Sequence, residues 1–218
     1  MYPIVYSAKF EEEGRNRLTV LLRWIVVIPW LIVGFFYGIA ASIAVVIAWF
    51  AILFTGRYPE GLYDFVAGFA RFSARVDSFY YLLTDAWPPF NGEPEEGYPV
   101  RLGIQPPLRE YSRAKALFRI IIGIPVYLLL YVMAIIAGVV AILAWLALNF
   151  VARLREGLYK PIRAAMAYRA KAGAYFMLLT EDYPPFWTEE DEERPQLSAP
   201  AAGGASSASG ASSESAAS

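Results

Sequence analysis

Two stretches of this chain carry no charge at all, and they limit its fold more than any other feature. Trp24–Phe54 and Ile120–Phe150 are each 31 residues of almost wholly apolar sequence. About 18 such residues in a row suffice for a helix that crosses a membrane. The hydrocarbon core is about 30 Å thick, whereas 31 helical residues extend about 46 Å. One straight span per block is therefore long, and two per block are tight. Neither block reads as a cleavable secretory signal. Each is too long and lacks a small-residue cleavage site followed by a soluble domain.

Composition supports a membrane setting. The 218 residues are 57% hydrophobic and 18% charged, with a mean hydropathy of +0.40. Soluble domains average about 45–50% apolar and about 25% charged. A chain of this size has too much surface to hide the excess in a larger core. Nineteen basic against twenty acidic residues give a net charge of −1. That balance lacks the basic excess needed to neutralise phosphates, so no nucleic-acid partner is expected. Cysteine and histidine are both absent. Cys nucleophiles, Cys/His zinc sites, His-ligated haem and disulfides are thereby excluded. No nucleophile elbow, phosphate-binding loop, dinucleotide fingerprint or HExxH string occurs. The expectation is a non-enzymatic protein with no cofactor.

The two blocks belong to a repeat. A shift of 96 superposes Tyr2-Pro3 on Tyr98-Pro99, Arg17 and Arg23 on Arg113 and Arg119, and Ile28-Pro29 on Ile124-Pro125. The same shift superposes Ala48-Trp49 on Ala144-Trp145, and Glu60-Gly61-Leu62-Tyr63 on Glu156-Gly157-Leu158-Tyr159. Leu82-Leu83-Thr84 falls on Leu178-Leu179-Thr180, and Pro88-Pro89-Phe90 on Pro184-Pro185-Phe186. Without a gap, 26 of 89 positions are identical. Polar and proline signatures at one fixed offset indicate an internal duplication. The chain divides into a first membrane repeat (1–90), a linker (91–97), a second membrane repeat (98–186) and a tail (187–218). The tail opens on the acidic run Glu189–Glu193 and ends in Ala, Ser and Gly, a composition expected to be disordered.

Charge placement argues for an even number of crossings per block. All 19 basic residues lie outside the blocks: four before the first, eight between them and seven after the second. A hairpin in each block puts every one on the cytoplasmic side, as the positive-inside rule favours. The fold class expected is all-α membrane protein. Each of two tandem repeats is read as an apolar helical hairpin, with a re-entrant loop or one long helix as alternatives. Gly34 and Gly38 bracket Phe35-Phe36-Tyr37 and suit a tight turn. Pro29 and Pro125 predict a kink or an early helix break. A multi-pass plasma-membrane protein with both termini in the cytoplasm follows.

Each block is followed by a further helical segment. Over Leu62–Leu83, Asp64, Arg71, Arg75 and Ser78 share a stripe on an otherwise aromatic helix. This reads equally as an amphipathic helix lying in the membrane interface and as a helix packed on the hairpins. The counterpart, Ile162–Leu179, carries Arg163, Arg169 and Lys171. Each repeat opens on Tyr-Pro into a short extended run, Tyr2–Phe10 and Tyr98–Ile104. The closing segments, 86–90 and 182–186, are expected to pair with those runs. Trp49 and Trp145, near the block ends, are expected as interfacial anchors.

The most specific local string is Phe54-Thr55-Gly56-Arg57-Tyr58-Pro59-Glu60-Gly61-Leu62-Tyr63-Asp64-Phe65. With Tyr-Pro-Val-Arg-Leu at 98–102 and the two Leu-Leu-Thr…Pro-Pro-Phe endings, it resembles the bacterial "domain of unknown function 4389" family. Two copies cover about residues 1–90 and 97–186. The second departs from the string, and only Arg153, Glu156, Gly157 and Leu158 carry over. The resemblance implies an integral membrane protein and transfers no catalytic residue.

Arg57 with Glu60, and Arg153 with Glu156, recur at a three-residue spacing. The bland reading is an ion pair that fixes a helix start. The functional reading is contact with a lipid phosphate or a partner, and Arg71 and Arg75 join that set. The function expected is an accessory, scaffold or lipid-interacting membrane protein. Its partners would be membrane lipids, with a membrane protein or a second copy of the chain in addition. The alternative is a small transporter or channel component built from a duplicated unit.

Overall fold

A computed structural model of the protein describes residues 2–10, 17–95, 97–151 and 154–186. The chain order is β1 (Ile4–Ala8), α1 (Arg17–Val26), α2 (Ile28–Thr55), α3 (Glu60–Tyr80), β2 (Val100–Ile104), α4 (Arg113–Ile122), α5 (Ile124–Val151) and α6 (Glu156–Phe176). The elements recur with the 96-residue offset. The tail beyond residue 186 lies outside the described residues.

The apolar blocks are not hairpins. α2 and α5 each run 28 residues without a turn, which is the long-helix alternative. Gly34 and Gly38 lie inside α2 because α3 packs against them. A Cβ at Gly34 would stand 3.3 Å from the Phe72 ring, and one at Gly38 would stand 3.4 Å from Phe69. The glycines admit aromatic rings; they do not turn the chain. Pro29 and Pro125 mark the early break. Each is the second residue of its long helix, where the missing N–H costs little. Past α2 the string around Gly56 is a stop–loop–start device. Gly56 adopts φ 73° and donates its N–H to Ile52 O at 2.8 Å. Pro59, in extended conformation, leads into α3.

The strands pair with each other, antiparallel, with Ile4 opposite Ile104, Tyr6 opposite Leu102 and Ala8 opposite Val100. This two-stranded sheet does not include 86–90 or 182–186. Those segments instead pack aromatic rings on the helices, as Trp87 and Phe90 do on Trp30 at 5.3 and 4.9 Å between centroids.

Partners are exchanged between the repeats. β2 packs on α3 and β1 on α6. Tyr63 OH donates to Gln105 O at 2.5 Å, and Tyr159 OH donates to Ala8 O at 2.7 Å. Trp49 Nε1 donates to Ala116 O at 3.0 Å, and Trp145 Nε1 to Val20 O at 3.1 Å. Tyr98 OH reaches Ala86 O and Tyr2 OH reaches Asp182 O, at 3.0 and 3.3 Å. Every one of these bonds has its counterpart at the 96-residue offset or one position from it. The two tryptophans expected as anchors therefore clasp the repeats together. One core cluster draws on both halves, with Ala44, Ala48 and Ile52 of α2 beside Ala137, Ala144 and Leu148 of α5.

α3 is packed rather than laid on a surface. Of its expected polar stripe, Asp64 is exposed, Arg71 is half-buried, and Arg75 and Ser78 are buried. Ser78 Oγ shares a 2.7 Å hydrogen bond with Tyr6 OH.

Candidate membrane interface

The apolar blocks bury one narrow face and expose the rest. Along α2 the buried positions are Trp30, Ala41, Ala44, Ala48 and Ile52. With 100° of turn per residue, an arc of about 200° remains outward. It carries Ile32, Ile39, Ile43 and Phe50 among others. Among the described residues forty large hydrophobics are exposed, and seventeen fall in 18–54 and seventeen in 117–150. Two helical stretches, Leu18–Thr55 and Ile124–Phe150, are long and apolar enough to cross a membrane, with hydropathies of 2.5 and 2.8. Only 17% and 11% of those windows are buried. The core helix of a soluble protein would be buried over most of its length, so these are not core helices.

Three polar side chains in and just after the blocks bond to the preceding turn of their own helix. Ser42 Oγ donates to Gly38 O, Thr55 Oγ1 to Ala51 O and Asn149 Nδ2 to Trp145 O, at 2.7–2.8 Å. Such bonding satisfies these three donors in apolar surroundings.

Two buried arginines tie the short helices to the polar layer. Arg23, 2% exposed, donates to Phe79 O at the end of α3, to Thr84 O at 3.2 Å and to the Asp85 carboxylate. Its guanidinium stands 4.5 Å over the Phe79 ring. Arg119 repeats the arrangement on Tyr175 O and Thr180 O, 4.4 Å over the Tyr175 ring. Each cation meets the negative end of a helix and its last carbonyls. Burial pulls the Arg119 pKa below its usual value. The acidic partners diverge. Asp85 takes Arg23, whereas Glu181 accepts from the Ser112 N–H and lies 3.5 Å from Lys115 Nζ at the start of α4.

The helices these arginines cap end in a left-handed residue, Leu82 (φ 65°) and Leu178 (φ 63°). The next N–H reaches back to Ser78 O and Ala174 O at 2.9 and 3.0 Å. Leucine is an unusual residue at such a position, and burial of both side chains holds it there.

The residues singled out in the sequence are spread over the molecule. Arg57 and Glu60 are exposed on either side of the loop after α2. No ion pair joins them among the described residues. Glu60 and Glu156 occupy the first turns of α3 and α6, where a negative charge meets the positive helix end. Glu156 pairs with Lys160 at 3.5 Å. Arg153 lies outside the described residues. Arg71 and Arg75 face inward to the linker. Arg71 donates to Gly92 O at 3.5 Å, and Arg75 donates to Asn91 O at 3.3 Å and to Glu93 O at 2.5 Å. Burial lowers the pKa of both. Arg57 also borders a polar cavity of about 360 Å³, lined by Thr55, Gly56, Glu110, Tyr111 and Arg113.

Arg23 and Arg119 read in the sequence only as recurring flanking charges. The available signal was their shared spacing of 61 residues to Thr84 and Thr180. No curated protein and no solved structure matches the chain. The family described as "Domain of unknown function (DUF4389)" matches residues 17–91 and again 113–188, which together exceed half of the sequence. The chain belongs to the DUF4389 family and carries two tandem copies of its domain.

Proposed function

We propose that this protein is a non-enzymatic accessory or scaffold protein of the plasma membrane, held among lipid acyl chains by the outer faces of α1, α2, α4 and α5. The observation that carries this reading is the placement of exposed hydrophobics, thirty-four of forty on the two apolar stretches. A continuous apolar surface of that extent on a soluble monomer would drive aggregation. Arg57 and Arg113, beside exposed Phe54, stand where the apolar surface gives way to polar groups and suit contact with anionic headgroups. The scaffold reading is preferred to a transporter because the polar cavity lies past the end of α2 rather than between long apolar helices.

Purification in a gentle detergent, with identification of bound lipids and proteins, tests the proposal. Anionic lipid or a membrane-protein partner should co-purify, less lipid should remain on Arg57→Ala, and Glu60→Gln should bind as the parent does. A monodisperse protein that is soluble without detergent and free of lipid would contradict it.

A further inference from the structure

Whether α2 spans the membrane or lies along it is decided by what stands beside its middle. Tyr37 lies four to five residues from the midpoint of α2, about 7 Å along the axis. Its ring meets Phe65, Phe69 and Phe72 of α3 at 5.1–5.8 Å between centroids. Its hydroxyl donates to Phe65 O at 3.2 Å. A Cβ built on Gly68 would stand 2.7 Å from that hydroxyl and 3.6 Å from Gly92 Cα. Two arginines, Arg71 and Arg75, fasten 91–93 at this level. The mid-helix of α2 is thus flanked by α3 and the linker, with Asp64, Asn91, Glu93 and Glu95 exposed there.

In a straight crossing, a point 7 Å from the centre is deep inside a core whose half-thickness is about 15 Å. Exposed carboxylates do not belong at that depth without partners. The outer arc of α2, by contrast, carries no charge, and the exposed Ser42 on it bonds back to Gly38 O. At the level of Tyr37 the two sides of one helix therefore call for different solvents. A helix crossing the bilayer meets different solvents at its ends and middle, not on its two sides.

We infer that the protein does not cross the bilayer: α2 and α5 lie along the membrane surface with their outer arcs immersed in one leaflet, and the polar layer of α3, α6 and the sheet faces the cytoplasm. The occupant of the apolar face is the acyl and headgroup boundary of that leaflet. This rests on the membrane reading above and replaces the crossings expected from the sequence by immersion. α1 and α4 extend the same face through Leu21, Leu22 and Ile25, and through Leu117, Phe118 and Ile121. The exchange of partners between repeats places both long helices in equivalent surroundings, so both lie at one depth. In-plane helices of this kind bind by buried apolar area.

Depth measurement on the full chain tests this. The native sequence has no cysteine, so single spin labels can be placed at Ile32, Ile39, Ile43 and Phe50, all on the outer arc. The protein is bound to vesicles of phosphatidylcholine and phosphatidylglycerol, and each label is read against an apolar and a polar relaxation agent. In-plane immersion predicts four depths that agree within about one helical turn. Maximal depth at Ile39 and Ile43 with shallow values at Ile32 and Phe50 would overturn the inference, because those outer labels are about 27 Å apart along the helix. Four labels open to the polar agent would instead overturn the membrane reading on which it rests.

Discussion

Arg119 donates to the carbonyl of Tyr175 and stands 4.4 Å over the ring of the same residue, so one cation both caps α6 and covers an aromatic side chain of its last turn. Arg119→Ala leaves buried carbonyls without a donor and should cost about 3 kcal/mol. Arg119→Lys keeps the charge but not the planar fork, and should recover about half of that. Arg169→Ala, which breaks a 2.8 Å pair with Asp77 at a site 46% exposed, should cost about 0.5 kcal/mol. Denaturant or thermal unfolding in detergent ranks the three.

The indole clasps offer a second comparison. Trp49→Phe and Trp145→Phe each remove one bond between the repeats and should each cost about 1 kcal/mol. Since the two bonds involve different residues, the double variant should show nearly the sum. A much larger cost for one than the other would deny the equivalence of the two halves.

Glycine packing makes a sharper forecast. A Cβ at Gly92 would stand 2.4–2.5 Å from backbone atoms of Gly68, which cannot rotate away. Gly92→Ala should destabilise by about 2 kcal/mol, as overpacking does. At Gly138, inside α5, nothing lies within 4 Å of the added Cβ. Gly138→Ala should be neutral or stabilise by up to about 1 kcal/mol through helix propensity. Unfolding midpoints of the two variants check this directly.

Alkaline pH should loosen the polar layer. Burial pushes the phenol of Tyr168 up to about 12, and raises Tyr2, Tyr6, Tyr58 and Tyr63 still further. The folded state holds these protons more tightly than the unfolded chain, whose tyrosines titrate near pH 10. Their contribution is complete below about pH 10 and is lost as pH rises through the folded values. Stability followed from about pH 8 upward should be flat in this respect and then fall. Stability that rises above about pH 10 would contradict the burial.

The repeat and the apolar blocks were legible because both are patterns within the chain: an offset and a run. The strands were legible from Tyr-Pro and alternation. What escaped was set by distant partners. Gly34 and Gly38 look like turn residues until Phe72 and Phe69, more than thirty positions away, are seen to need their space. Arg23 looks like a flanking charge until the end of α3, 56 residues on, receives it. Nothing local says that β1 will choose β2 over the Pro-Pro-Phe segments. The polar stripe on α3 looks like an outward face until Ser78 is seen to answer Tyr6 and Arg75 the linker.

The central claim is that the exposed arcs of α2 and α5 are lipid-facing. Ile43 and Val139 occupy the same place in the two repeats and are 57% and 55% exposed. The direct measurement is partition of the full chain and of Ile43→Arg and Val139→Arg into phospholipid vesicles, separated by flotation. The parent should float with the vesicles and resist high salt. Each arginine forfeits the burial of one aliphatic side chain, about 1.5–3 kcal/mol, and should weaken partition about 10- to 100-fold. A parent chain that stays soluble, or variants that float as well as the parent, would contradict the account.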